Sequence, residues 1–171
     1  IGPTLTPDRS RVLLRPFRPS ADDISRRIVA RVMALSDEQV AKLLGQVLGE
    51  FADRHEQVEN IFRKRFAQVL IYLAPGGQPS PERQLLIGAY FTHEYSLEAA
   101  ALFSPSVVVC PDQSDVPEGA VRFVLSLRSV GEGHISSITF RCGTLQCDGR
   151  IDMGDPARWM VGAEPHVDPE F

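Results

Sequence analysis

The stretch that decides the fold runs from Glu94 to Arg141 and reads EYSLEAAALFSPSVVVCPDQSDVPEGAVRFVLSLRSVGEGHISSITFR. It opens with an apolar segment of helical character and continues as three segments rich in β-branched and aromatic residues. Polar side chains stand at the segment ends, where loops usually carry binding groups. They are Ser104, Ser106, Arg128, Glu132, His134 and Ser136. We therefore expect a site in this stretch and interpret the residues before it as scaffold.

The β-rich part of the chain predicts an antiparallel meander. Short strands are expected at 106–110 and 121–128, and a third is marked by Ile135, Ile138 and Phe140. Asp148 and Gly149 are central in the best hairpin turn, which predicts pairing of 144–146 with 151–153. Three or four such strands cannot bury both faces, so they must pack on helices or on further sheets.

The residues before this stretch predict about four helices. The first covers about 21–35 after Ser20, and the second begins after Ser36, which forms a capping signature with Gln39. The third ends before Pro75, and Ser80 opens the fourth with a proline at its first position. The predicted class is α+β, with an extended N-terminal arm at 1–19, a helical region at 20–103 and antiparallel strands at 104–171.

Three arginines flank a short strand predicted around Val12–Leu14 in the arm, namely Arg11, Arg15 and Arg18. Two interpretations remain open. The arginines are either solvated charge or an arm that carries guanidinium groups to an anionic ligand.

The composition of the chain limits which kinds of partner and location we expect. The chain has 171 residues, 43% hydrophobic content and a formal net charge of -4, so it lacks the basic excess that a grip on nucleic acid requires. No apolar run approaches the roughly 18 residues of a membrane span, and a cytoplasmic location is the expectation. The three cysteines, Cys110, Cys142 and Cys147, suggest neither a disulfide framework nor a zinc site, and we expect them to be buried.

The histidines give weak indications. His55 is flanked by charged residues and is expected on a solvated face, whereas His93 is expected to contact the C-terminus of the fourth helix. Glu132 and His134 place a carboxylate beside an imidazole between glycines. That tetrapeptide is either a site or a tight turn between two strands.

Several segments together resemble the long, helix-bearing branch of glycoside hydrolase family 130. The segments are Glu94–Glu98, Ala100–Ser106, Arg122–Arg128, Gly131–Ile138 and the opening Arg11–Pro19. That family comprises β-mannoside phosphorylases and related β-mannosidases on a five-bladed β-propeller. The resemblance implies that the meander forms the first blade or blades of such a propeller.

The resemblance also implies which residues lie near the sugar or the phosphate. They are Arg15, Ser104, Ser106, Arg128, His134 and Ser136. Arg128 is the strongest candidate, because a guanidinium can hold two adjacent hydroxyls or phosphate oxygens in fixed geometry. Ser104 stands where relatives usually have Asn before the proline.

The family's general acid is an aspartate in a Glu-Asp-x-Arg type motif, which this sequence lacks. We interpret the superficially similar Gly154–Arg158 as a loop. We therefore expect the chain to be the N-terminal segment of a longer enzyme, with part of the sugar pocket but no proton donor, and inactive alone. No cofactor is expected, and inorganic phosphate is a co-substrate if the enzyme is a phosphorylase. The alternative is a non-catalytic helical module that binds a partner or forms a homo-oligomer.

Overall fold

The structure is a computed structural model, and it describes residues 2–162. Helices dominate its first half and strands its second, which confirms the α+β class. In chain order the elements are β1 (Val12–Pro16), α1 (Asp22–Met33), α2 (Asp37–Ala52), α3 (Val58–Val69), α4 (Pro81–Tyr90), β2 (Thr92–Ser96), β3 (Ala101–Val109), β4 (Val121–Val130), β5 (Ser136–Leu145) and β6 (Ile151–Met153).

The chain divides into two compact units. The helical unit is Leu13–Tyr95, and the β unit contains the described residues 2–12 and 96–162. The divisions therefore fall at Val12 and Tyr95 rather than at the predicted positions 19 and 103. The last part of the predicted β region, residues 163–171, lies outside the described residues.

Local capping chemistry sets several helix boundaries. At α2 the Ser36 hydroxyl accepts from the Gln39 backbone N–H while the Gln39 side chain accepts from the Ser36 N–H, which confirms the predicted capping box. Ser80 caps α4 ahead of its N-terminal proline, also as predicted. At α1 the prediction was wrong by one residue: Ala21 is the N-cap and its side chain offers no cap bond.

The helical unit has an extensive apolar core. Eight buried side chains form one cluster and four form a second. Gly88 of α4 lies so close to α3 that a Cβ atom there would collide with the backbone carbonyl of Phe62. The buried Arg83 guanidinium donates to the carbonyls of Val32 (2.6 Å) and Leu35 (2.9 Å), and so caps the C-terminal end of α1.

The segment after α4 is a strand, not the helical approach predicted for it. The helix ends at Tyr90, and β2 pairs with β1 in a two-stranded sheet. His93 consequently lies in β2 with its ring 6.3 Å from that of Phe17. The expected helix C-terminal contact of His93 was wrong, because the helix stops before reaching it.

The β unit contains the predicted antiparallel meander. Its strand order is β3-β4-β5-β6, and the β5–β6 hairpin pairs Thr144 with Asp152 as expected. Alternation of side chains along β4 and β5 gives the sheet two faces. The inner face carries the buried Phe123, Leu125 and Leu127, against which Leu5, Leu102 and Met153 pack.

We call the opposite side the outer face. Four of its large apolar side chains are at least half exposed, namely Phe103 at 50%, Val108 at 61%, Ile138 at 68% and Phe140 at 62%. Cys142 and Cys147 are exposed and Cys110 is partly buried, so the expectation of buried cysteines was wrong.

Within the described part of the chain, Gly154–Arg158 forms neither helix nor strand, which confirms its interpretation as a loop. None of the described helices combines the length and the apolar composition that crossing a lipid bilayer requires.

Candidate functional site

Most of the predicted site residues of the β unit lie at one end of the meander. Arg128 lies near the end of β4, where it pairs with Phe103 of β3 on one side and with Ile138 of β5 on the other. The turn that joins β4 to β5 follows directly, and Ser136 begins β5 opposite Val130. This end of the outer face is the candidate site.

Arg128 is oriented by a neutral partner. Its Nε–H and Nη2–H groups both donate to the Ser136 hydroxyl, at 3.2 and 3.0 Å. No carboxylate forms an ion pair with Arg128 within residues 2–162. A guanidinium fixed in this way keeps its positive charge and remaining N–H groups for an oxyanion or a diol.

The backbone around Arg128 holds unusual conformations. Ser104 has φ 49° at the irregularity where the β3–β4 register shifts, and His134 has φ 59° directly after Gly133 at φ 63°. A left-handed conformation costs energy in a residue other than glycine, and such strain concentrates at functional positions. Two of the predicted residues therefore occupy strained positions at the same end of the sheet.

The tetrapeptide Gly131–His134 is a turn. Glu132–His134 forms a single 3-10 turn with exposed side chains, closed by the Gly131 N–H donating to the Ile135 carbonyl at 3.0 Å. Among the described ion pairs none joins Glu132 to His134. The turn interpretation is confirmed, and a carboxylate–imidazole pair does not form here.

The remaining two predicted residues have other partners. Ser106 is exposed on the outer face, and its carbonyl accepts from the Ser126 hydroxyl at 3.4 Å. Arg15 belongs to the helical unit, where its guanidinium lies 4.7 Å above the ring of Tyr95. Among the six predicted residues, the hydrogen bonds of the described chain join only Arg128 to Ser136.

A buried ionic network in the β unit was not predicted from the sequence. Glu98 is fully buried and accepts from Arg141 Nη2 through both carboxylate oxygens at 2.7 Å. Arg11 adds a second guanidinium, with its Nε 3.3 Å from Glu98 Oε1. Arg11 is thus neither solvated nor free to bind an anionic ligand. For this residue, both interpretations predicted for the arm were wrong.

A second network, also missed, lies in the helical unit. The Arg54 guanidinium donates to both oxygens of Glu94, at 2.9 and 3.2 Å, and the His55 Nε2–H group donates to Glu94 Oε1 at 2.6 Å. The His55 side chain is only 4% exposed, and its ring lies against that of Phe51. The prediction of a solvated His55 was wrong, because its partner is 39 residues away in sequence.

Two exposed aspartates of the β unit have lowered pKa values for a local reason. The side-chain and backbone hydrogen bonds of Ser10 lower the pKa of Asp8, and those of Ser114 lower the pKa of Asp112. Both are Asp-x-Ser turns in which the carboxylate accepts from the residue two positions on. They stabilise loops and lie outside the candidate site.

In residues 2–162 no three His, Cys, Asp or Glu side chains are grouped so that they could hold a metal ion.

No protein-family model, no curated protein and no solved structure matches the chain.

Proposed function

We propose that this chain contributes the N-terminal part of an enzyme that acts on β-mannosides, by phosphorolysis or by hydrolysis. In this proposal the end of the meander around Arg128 supplies part of the sugar pocket. The observation that carries it is the Arg128 guanidinium, held by Ser136 and paired with no carboxylate in the described chain. The strained backbone at Ser104 and His134 supports the same location.

The chemistry assigned to Arg128 is positioning. In phosphorolysis a phosphate oxygen bonds to the anomeric carbon of mannose as the glycosidic C–O bond breaks, which yields mannose 1-phosphate. In hydrolysis water takes the place of phosphate. A bidentate guanidinium can hold sugar hydroxyls or phosphate oxygens in either reaction. The proton for the leaving group must come from a general acid, and the sequence lacks the motif expected for it.

The outer face supports the proposal of a propeller blade. Four sequential antiparallel strands are the arrangement of one blade, and adjacent blades cover each other's faces. The outer face exposes four large apolar side chains, although contiguous apolar patches on soluble monomers are usually small. We propose that a further sheet of the same protein covers this face.

We also propose a cytoplasmic location, which the three free cysteines support.

Calorimetric titration with mannobiose and with inorganic phosphate tests the proposed site. The unaltered chain is expected to bind at least one of them with a Kd on the order of 1 mM. Arg128→Lys keeps the charge but loses the planar fork, so binding should weaken by about tenfold or more. Arg150→Lys is the matched control, because Arg150 is exposed in the turn between β5 and β6 of the same unit and pairs with Asp152.

Two outcomes would contradict this proposal. If neither ligand binds, or if both variants bind as the unaltered chain does, Arg128 is not part of a sugar pocket. Cleavage of mannobiose by the purified chain would show that a general acid is present after all. The first outcome concerns the pocket and the second concerns only the absence of the proton donor.

A second candidate function is self-association through the helical unit. Its supporting observation is a pair of apolar side chains that follow α3, with Leu70 48% and Ile71 73% exposed. Light scattering should then give the mass of a dimer for the unaltered chain and of a monomer for Ile71→Ser. Ile138→Ser on the outer face is the control. A monomeric unaltered chain would exclude this candidate.

A further inference from the structure

The helical unit contains a cavity of about 530 Å³. It lies between the residues that follow β1 and the helices α1 and α3. The polar or aromatic side chains that matter for its chemistry are Arg18, Ser25, Arg65, Gln68, Tyr72 and Phe91. This volume is within the range of about 300–1,000 Å³ that small-molecule sites occupy.

Arg65 is the unusual group in this cavity. Its Nε–H group is buried without a hydrogen-bond partner, and its Nη1 donates to Gln68 Oε1 at 2.8 Å. A buried donor that lacks an acceptor is costly and rare, particularly on a charged group. The Nε–H group of Arg65 is therefore a donor that an acceptor from a ligand could satisfy.

The cavity concentrates positive charge. Burial lowers the pKa of Arg65, and the nearby charge of Arg18 lowers it further. No acidic side chain lines the cavity, and neither arginine belongs to an ion pair of the described chain. Asp22, which accepts from the Tyr72 hydroxyl at 2.9 Å, forms an ion pair with neither arginine in residues 2–162.

An anion would relieve both features at once. Its oxygen atoms would accept from the unpartnered Nε–H of Arg65 and would screen the repulsion between the two guanidinium groups. Apolar surface is available beside the two arginines, because Phe17 (40% exposed) and the partly exposed Tyr72 line the cavity, and the Tyr72 ring stacks on that of the buried Phe91 with ring centroids 6.4 Å apart. The ligand that fits combines an oxyanion with a small ring or apolar body.

We propose that this cavity is a binding site for a small organic oxyanion, with Arg18 and Arg65 holding a phosphate or carboxylate group and the aromatic wall contacting the rest of the molecule. The inference goes beyond the mannoside proposal, because the cavity uses none of the residues of the candidate site in the β unit. Either proposal can therefore fail without the other.

The test titrates the 171-residue chain with phenyl phosphate and with benzoate, and uses phenol as the uncharged probe. The unaltered chain is expected to bind at least one anion and to bind phenol at least about tenfold more weakly. Arg65→Gln and Arg18→Gln should each weaken anion binding by about tenfold or more. Arg63→Gln is the matched control, since Arg63 is on the same helix, is exposed and pairs with Glu59.

The two anions identify the source of the ligand chemistry. Preference for phenyl phosphate, lost as the pH falls through about 6 where the dianion takes a proton, would indicate a phosphate ester. Preference for benzoate would indicate a carboxylate. Both results support the site. The proposal is overturned if neither anion binds, if phenol binds equally well, or if the Arg18→Gln and Arg65→Gln variants bind like Arg63→Gln. Arg18→Gln keeps the test valid should Arg65→Gln unfold, because Arg18 is exposed and outside the helices.

Discussion

Glu94 and Glu98 stand four positions apart in sequence, and an arginine donates to both carboxylate oxygens of each, but they belong to different units. Glu94 belongs to the helical unit, is 27% exposed and shares its oxygens between Arg54 and His55. Glu98 belongs to the β unit, is fully buried and is contacted by two arginines. Loss of the Glu98 charge would leave two largely buried guanidinium groups uncompensated, whereas Arg54 beside Glu94 is 46% exposed, so loss of Glu98 should be more damaging.

The apolar cores differ in the opposite sense. The helical unit buries two clusters of eight and four residues, whereas the inner face of the sheet buries three. Apolar burial is the main favourable term in folding. The unit with the smaller described core thus contains the more deeply buried ionic network, and we expect it to depend on that network more strongly.

The largest expected effect is from Glu98→Gln. This change leaves Arg11 and Arg141 buried with no negative charge between them, and breaking a buried pair in this way costs about 3–5 kcal/mol. The fluorescence of Trp159, the only tryptophan, reports on the β unit during denaturant unfolding. Glu132→Gln, at an exposed carboxylate of the same unit, is the control. Equal stability of the two variants would remove the distinction between the units.

Gly88→Ala tests the packing of the helical unit. The added Cβ would meet the Phe62 backbone carbonyl, which a backbone shift alone can relieve, so we expect a loss of about 3 kcal/mol. Loss of helical circular dichroism during thermal unfolding measures it. Gly49→Ala is the matched control, since Gly49 is in α2 with open space around it and should gain about 0.5–1 kcal/mol. Parallel behaviour of the two variants would contradict the close approach of α4 to α3.

Glu94→Gln should cost less than either change. The carboxylate is partly exposed, so water compensates Arg54, and the main loss is the charge-assisted hydrogen bond of the buried His55. We expect about 1–2 kcal/mol in denaturant unfolding followed by helical circular dichroism. A loss as large as that of Glu98→Gln would show that exposure does not distinguish the two carboxylates.

The smallest effect concerns the exposed Asp8. Its pKa is lowered from 3.8 chiefly by the Ser10 hydroxyl, so its ionised form adds stability above that ordinary value, and the contribution is lost as the pH falls through the lowered pKa. Ser10→Ala should raise the pKa of Asp8 toward 3.8, as measured by NMR titration of its carboxyl carbon. Ser114→Ala should move Asp112 instead and leave Asp8 unchanged.

Local patterns predicted the elements whose causes are local. The Ser36 capping box, the proline start of α4 and the Asp148–Gly149 turn each depend on residues within a few positions. The strand β2 was missed because its short polar sequence, Thr92–Ser96, lacks the alternation that identifies a strand.

The ionic networks could not be predicted because their partners are distant in sequence. Glu98 and Arg141 are 43 positions apart, and His55 and Glu94 are 39 apart. No periodicity relates such residues, and charged flanking positions made His55 resemble a surface residue. At the candidate site, the contact between Arg128 and Ser136 spans only eight positions across one turn. The end of the meander was therefore predictable, although its strained conformations at Ser104 and His134 were not.

The two edge strands of the meander differ in how readily they can pair with the edge strand of another molecule. β6 has only three residues and offers a short template, whereas β3 has nine. Pro105 and the irregular register beside it interrupt β3, a device that discourages edge-to-edge pairing between molecules. Beyond it, Val107, Val108 and Val109 are each at least 60% exposed. At high concentration we expect these valines to nucleate aggregation of the purified chain. We expect Val108→Lys to slow that aggregation.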